Sequence, residues 1–145
     1  MAQRRPTVFL VDDDDVAVMA FQRAANQHKL TAPIKVARDG DEALDRLRHD
    51  DDLQPPYVIV LDLNMPRMGG LEFLGHLRAD PMLKKSVVFV STTSDAPQDI
   101  DAAYGLNVSG YFVKENAYRT IASTVSFLNA YLDVVTLPAG NIAKV

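Results

Sequence analysis

A chain of 145 residues, 48% hydrophobic and 23% charged, has the length of one domain and the composition of a globular one, which excludes a disordered chain. The absence of cysteine excludes a disulfide scaffold, a thiol nucleophile and a cysteine-ligated zinc or iron–sulfur centre. The net charge of −4 arises in the first half, where residues 1–72 hold 13 acids and 9 bases against 6 and 6 in residues 73–145; this speaks against a broad basic face for nucleic acid.

Along the chain, short apolar runs alternate with longer helical patterns. Thr7 to Val11 predicts a buried strand, and Asp14 or Asp15 can cap a helix running to about His28. Pro33 to Ala37 predicts a weaker second strand, Asp39-Gly40 a turn, and Asp41 to His49 a helix with Ala43, Leu44 and Leu47 on one side. His49 to Pro56 is a polar loop in which Asp50 to Asp52 are expected to be solvated. Tyr57 to Leu61 predicts the third strand, and Gly69-Gly70 opens a helix to Ala79. Ser86 to Val90 is the fourth strand, Pro97 to Tyr104 a helix with proline in its first turn, and Ser109 to Val113 the fifth strand. Ala117 to Leu132 is the last helix, striped by Ile121, Val125, Leu128 and Leu132. The longest apolar runs, Tyr57 to Leu61 and Val87 to Val90, are too short to span a bilayer. No apolar stretch of signal-peptide length accompanies Arg4 and Arg5, so a cytoplasmic protein with no membrane partner is expected.

Five βα units predict an α/β fold: a doubly wound, five-stranded parallel sheet in the flavodoxin-like order 2-1-3-4-5, with helices on both faces. In such sheets the ligand site lies beyond the carboxyl ends of the strands. Strand one ends at Asp12-Asp13, strand three at Asp62, strand four near Thr92 and strand five at Lys114. Three carboxylates gathered on one rim repel each other unless a cation joins them. With oxygen donors alone that cation is a hard one, Mg²⁺ or Mn²⁺ as a substitute. Carboxylates, Mg²⁺, a lysine and a hydroxyl suit phosphoryl transfer, in which an aspartate can itself be the nucleophile.

These residues resemble the receiver domain of two-component response regulators, the CheY-like fold. The matching stretches are Val8 to Asp13 (VFLVDD), Val58 to Gly70 (VIVLDLNMPRMGG), Val90 to Asp95 (VSTTSD) and Gly110 to Lys114 (GYFVK), in this order and spacing, within residues 7–132. The resemblance implies that Asp62 is the phosphoacceptor. It further implies that Asp13 and Asp62 bind Mg²⁺ directly, Asp12 through water and Asn64 through its main-chain carbonyl. Thr92 would hydrogen-bond a phosphoryl oxygen, Lys114 would pair with the phosphoryl group and Asp62, and Tyr111 would be an aromatic switch that turns inward with Thr92. The implied protein is not an enzyme but a phosphoacceptor signalling protein with its own Mg²⁺-dependent phosphorylation and dephosphorylation chemistry. It would comprise a receiver domain over 1–132 and a tail or helix extension over 133–145. Its partner would be a sensor histidine kinase or a phosphotransfer protein, with no direct nucleic-acid contact, and helix 4, strand 5 and helix 5 would form its output surface and a homodimer interface.

One departure stands out. Glu115 follows Lys114 where the family has proline in a cis peptide. A cis non-proline bond costs about 3 kcal/mol, so either that strain is present or the loop takes another course. The same departure, with the TTSD stretch and the polar loop before strand three, is similar to stand-alone regulators paired with bacterial phytochromes. Plainer readings exist for several residues: capping for Asp14 and Asp15, a structural hydroxyl for Thr93, core packing for Tyr111, and solvation for His28, His49 and His76. Two other functions stand as alternatives, a Mg²⁺-dependent phosphatase of haloacid dehalogenase type using D-x-D within Asp12 to Asp14, and a phosphorylation-independent binding module.

Overall fold

The structure, a computed structural model, describes residues 6–115 and 117–139. Arg4, Arg5 and the last six residues of the tail expected over 133–145 lie outside the described residues. The strands are β1 (Thr7–Val11), β2 (Ile34–Ala37), β3 (Tyr57–Leu61), β4 (Val87–Thr92) and β5 (Gly110–Val113). The helices are α1 (Asp15–Gln27), α2 (Gly40–His49), α3 (Gly70–Ala79), α4 (Pro97–Gly105) and α5 (Ala117–Val134). All strand pairs are parallel and their order is β2-β1-β3-β4-β5, as the alternating pattern predicts. No described helix is long and apolar enough to cross a membrane.

The strands alternate between two cores because successive side chains leave opposite faces of a sheet. Phe9, Val11, Ile59, Leu61, Val88 and Val90 pack under α2, α3 and α4 with Ala43, Leu44, Phe73, Leu74, Leu77 and Ala103. Val8, Leu10, Val58, Val60 and Phe89 pack under α1 and α5 with Val18, Phe21, Ile121, Val125 and Leu128. Burial on both faces explains why β1 and β3 are continuous apolar runs.

Several boundaries differ from expectation, each for a local reason. Strand β4 runs on through Ser91 and Thr92, because these hydroxyl residues stay in register with Phe112 and Val113 of β5. Helix α2 begins at Gly40, and Asp39 is its cap, accepting from the Glu42 amide at 2.9 Å. Helix α5 continues to Val134. The polar loop is more ordered than its composition implies. Leu53 is buried within it. Asp50 accepts from the Asp52 amide and from Arg46 Nε, each at 2.9 Å, and these two contacts lower its pKa.

Candidate functional site

The backbone ladder continues one residue beyond the strands and sets the site. The Asp12 amide donates to the Ala37 carbonyl at 3.0 Å, the Asp62 amide to the Val11 carbonyl at 2.9 Å, and the Lys114 amide to the Thr92 carbonyl at 2.8 Å. Each polar residue thus takes its place at the end of an apolar run by the same pairing that holds the sheet.

The strand alternation then decides which way these residues face. Asp12 follows Val8 and Leu10 in parity, Asp62 follows Val58 and Val60, and Lys114 follows Phe112. All three share a small cavity on the α1/α5 side with Leu10, Phe21, Val60, Ile121 and Ser91. Ser91 is buried there; it lies inside the VSTTSD stretch but carries no role in the sequence reading, and its parity with Phe89 is the signal that could have found it. Thr92 belongs to the opposite parity and is fully buried.

Four consecutive aspartates turn out to have four different settings. Asp12 is buried; its Oδ1 accepts from the Asp14 amide at 2.9 Å and its Oδ2 from Lys114 Nζ at 3.0 Å. Asp13 is exposed above it. Asp14 is the α1 cap, accepting from the Val16 amide at 3.0 Å. Asp15 pairs with Arg38. Carboxylate oxygens of Asp12, Asp13 and Asp62 lie within 4.8 Å of one another. Burial, and then the Asp12 carboxylate, push the Asp62 carboxyl up from its ordinary value; Lys114, the Thr92 hydroxyl and the Asn64 amide oppose this. Three hard oxygen donors with excess negative charge form a donor set that fits a small divalent cation.

Around this cluster, Asn64 Nδ2 donates to both Thr92 Oγ1 and Thr93 Oγ1 at 3.4 Å. The Tyr111 hydroxyl donates to the Ser94 carbonyl at 2.9 Å, and Ser94 Oγ donates to Asp99 Oδ2 at 2.6 Å, which ties β5 to the first turn of α4. Lys114–Glu115 is not cis; the Glu115 amide donates to the Val113 carbonyl at 3.0 Å, a tight turn that answers the missing proline. Beneath the acceptor loop, a Cβ on Gly70 would lie 2.6 Å from both the Asp62 carbonyl oxygen and Leu63 Cα, so only glycine lets α3 start so close to this backbone.

The family model of the response regulator receiver domain matches residues 8–126. The chain belongs to this family. Among relatives, the response regulator Rcp1 of Synechocystis is 30% identical over 136 residues, which is 91% of this chain and 92% of that one. The Mn²⁺-bound structure of Rcp1 superposes with a TM-score of 0.80 at 29% identity, over 94% of this chain and 100% of that one. The phosphorylated cyanobacterial phytochrome response regulator RcpA gives 0.81 at 29% identity, over 93% and 99%. The probable methanogenesis regulatory protein FilR2 of Methanothrix harundinacea is 31% identical over 126 residues, 86% of this chain and 81% of that one. The protein is therefore a receiver-domain response regulator of two-component signalling, and the haloacid dehalogenase alternative is set aside.

Proposed function

We propose that this receiver domain takes a phosphoryl group onto Asp62 from a histidine kinase or a phosphotransfer protein, in a reaction that needs Mg²⁺ or Mn²⁺, and passes the signal on by protein contact. The observation that carries the reading is the approach of three carboxylates to within 4.8 Å, with Lys114 held 3.0 Å from one of them. Asp13 and Asp62 would hold the cation directly, Asp12 through water and Asn64 through its carbonyl. When bound, it would neutralise the cluster and the charge on the phosphoryl oxygens.

The residues of the chain do the rest. An Asp62 carboxylate oxygen attacks phosphorus, the phosphorus–nitrogen bond of the donor phosphohistidine breaks, and its electron pair returns to the imidazole. Lys114 and the Thr92 hydroxyl stabilise the phosphoryl oxygens. The Thr92 oxygen accepts from Asn64 while its hydroxyl donates to the Asp62 carboxylate, so redirecting that hydroxyl to a phosphoryl oxygen moves the end of β4. Tyr111 reads this movement through Ser94, which it shares with the start of α4. A coupling of about 1–3 kcal/mol is enough for such a switch.

The output face is α4, β5 and α5, where Tyr104 and Phe127 are exposed; it also serves as a homodimer interface. Residues 1–132 form the receiver unit and 133–145 a helix extension and tail, in which α5 ends at Val134 and Leu137 is buried. The place of action is the cytoplasm, and similarity to phytochrome regulators favours a bacterial phytochrome as the kinase.

Incubation with acetyl phosphate and Mg²⁺ should label the protein stoichiometrically, and Asp62→Asn should abolish the label. Full labelling of the variant would remove Asp62 as acceptor, and no labelling of the parent would favour the binding-module alternative. Asp13→Asn should weaken Mn²⁺ binding in a titration; unchanged affinity would remove it from the ligand set.

A further inference from the structure

The loop from Leu63 to Gly69 carries Asn64 beside the site, yet much of what holds it comes from α2. The Gly40 amide donates to the Met68 carbonyl at 3.3 Å. Asp39 Oδ2 lies 3.3 Å from an Arg67 guanidinium nitrogen, while Asp39 Oδ1 caps the same helix. Arg67 sits at a φ of 61°, a left-handed conformation that a residue with a Cβ keeps only where its surroundings impose it. The Met68 side chain lies against the bare Cα of Gly40: a Cβ there would be 2.7 Å from Met68 Cγ and Sδ and 3.0 Å from Met68 Cβ.

Gly40 is the first residue of α2, where nothing in the helix itself asks for glycine and alanine is the better helix former. The close approach of Met68 is what the missing side chain serves. The other end of the loop is set by Gly70 against the Asp62 and Leu63 backbone. The loop is thus held at both ends, and Asn64 lies between them with its own bonds to Asp62, Thr92 and Thr93.

We propose that Gly40 is a positioning residue for the phosphoryl-transfer site, acting through Met68 to set the loop that carries Asn64. The inference rests on the function proposed above. It extends the site to α2, which contributes no side chain to the carboxylate cluster.

The test is a double-mutant cycle of the full chain with Gly40→Ala, Met68→Ala and the pair. Gly40→Ala adds a methyl where Met68 stands; Met68→Ala empties that space; together they exchange bulk across one contact. Three readouts apply: Asn64 and Thr92 amide shifts in metal-free protein, Mn²⁺ affinity, and the initial labelling rate with acetyl phosphate. Gly40→Ala should move the Asn64 amide and slow labelling roughly tenfold, less than the roughly hundredfold that a misplacement of about 1 Å can cost. The pair should recover most of the loss, so that the two effects are strongly non-additive. An unmoved Asn64 amide in Gly40→Ala overturns the proposal, and so do strictly additive effects. Should Gly40→Ala fail to fold, Met68→Ala decides alone, because it introduces no clash: a shifted Asn64 amide supports the contact and an unshifted one removes it. A parent protein that takes no label defeats the proposed function, while the metal-free amide shifts still decide whether Gly40 positions the loop.

Discussion

At the carboxyl ends of the strands, Asp12 and Asp62 are buried side by side, and among the described residues only Lys114 brings positive charge into their cavity. At the amino ends, the Tyr57 hydroxyl and Ser86 Oγ share a buried hydrogen bond of 3.0 Å. Nearby, Arg78 donates to the carbonyls of Leu106, Lys84, Ser86 and Asn107 at 2.7, 2.8, 2.7 and 3.0 Å. The same sheet thus ends in like charges held together at one edge and in donors matched to acceptors at the other. No buried polar side-chain atom among the described residues lacks a partner, so the difference lies in electrostatics and not in missing hydrogen bonds. The amino edge serves stability. The carboxyl edge gives up stability to hold like charges together, which is what the proposed phosphoryl-transfer function asks of it.

Opposite signs of response at the two edges can break or sharpen this contrast. The largest effect is expected at the amino edge. Arg78→Ala strips four carbonyls of a charged donor and should cost roughly 3 kcal/mol in a denaturant titration; a loss under about 1 kcal/mol would remove Arg78 as the clasp between α3 and the β4 and β5 approaches. Next comes the cation. Mg²⁺ at one hundred times its dissociation constant should stabilise the parent by about 2.7 kcal/mol. It should stabilise Arg78→Ala by the same increment, because the two edges are independent. A smaller increment in that variant would show that the edges communicate.

A gain should come third. In metal-free protein at neutral pH, Asp62→Asn should raise the thermal midpoint by roughly 4 °C, about 1 kcal/mol. The sign follows from the raised pKa of Asp62 in the fold. As pH rises, the unfolded chain releases this proton first, so the carboxylate subtracts stability above about pH 4. The advantage of the variant should therefore close as pH falls below that value, and an advantage that persists at about pH 3 would point to packing in place of charge. Smallest is Tyr57→Phe, expected to cost about 1 kcal/mol at neutral pH. Burial raises the Tyr57 pKa, so the parent should lose additional stability above about pH 10, where the unfolded phenol ionises first. The variant should lack that alkaline loss.

Much of the carboxyl edge was legible from local pattern. Val8 to Val11, Val58 to Leu61 and Val87 to Val90 are apolar because both faces of the sheet are covered, so the first polar residue after each marks a strand tip or its approach. Asp12 and Asp62 follow directly from that rule. Thr92 marks the end of β4 as the pattern predicts, although the apolar run stops at Val90, because β4 carries the hydroxyl residues Ser91 and Thr92 inside the strand. The cap at Asp39 was visible only as a turn, and the close seating of Gly40 on Met68 was not visible at all. A glycine at a helix start reads as a weak helix former until its neighbour from another element is known. Lys114 was recognised, but its resting partner was not: the ammonium finds Asp12, 102 positions away. Three aspartates in a row look like a solvated loop, whereas the bonds of Asp50 to Arg46 and Asp52 depend on how α2 ends.

Periodicity in this chain determines the element order, the two-faced burial of the sheet and the rim on which the polar residues gather, since each of these depends on neighbours in sequence and on the fixed geometry of strands and helices. Tertiary structure alone decided which charges meet, which hydroxyl faces which cavity and which glycine must stay bare. Those outcomes depend on distances between elements far apart in the chain, where a shift of an ångström changes an attraction into a clash and no local pattern records it.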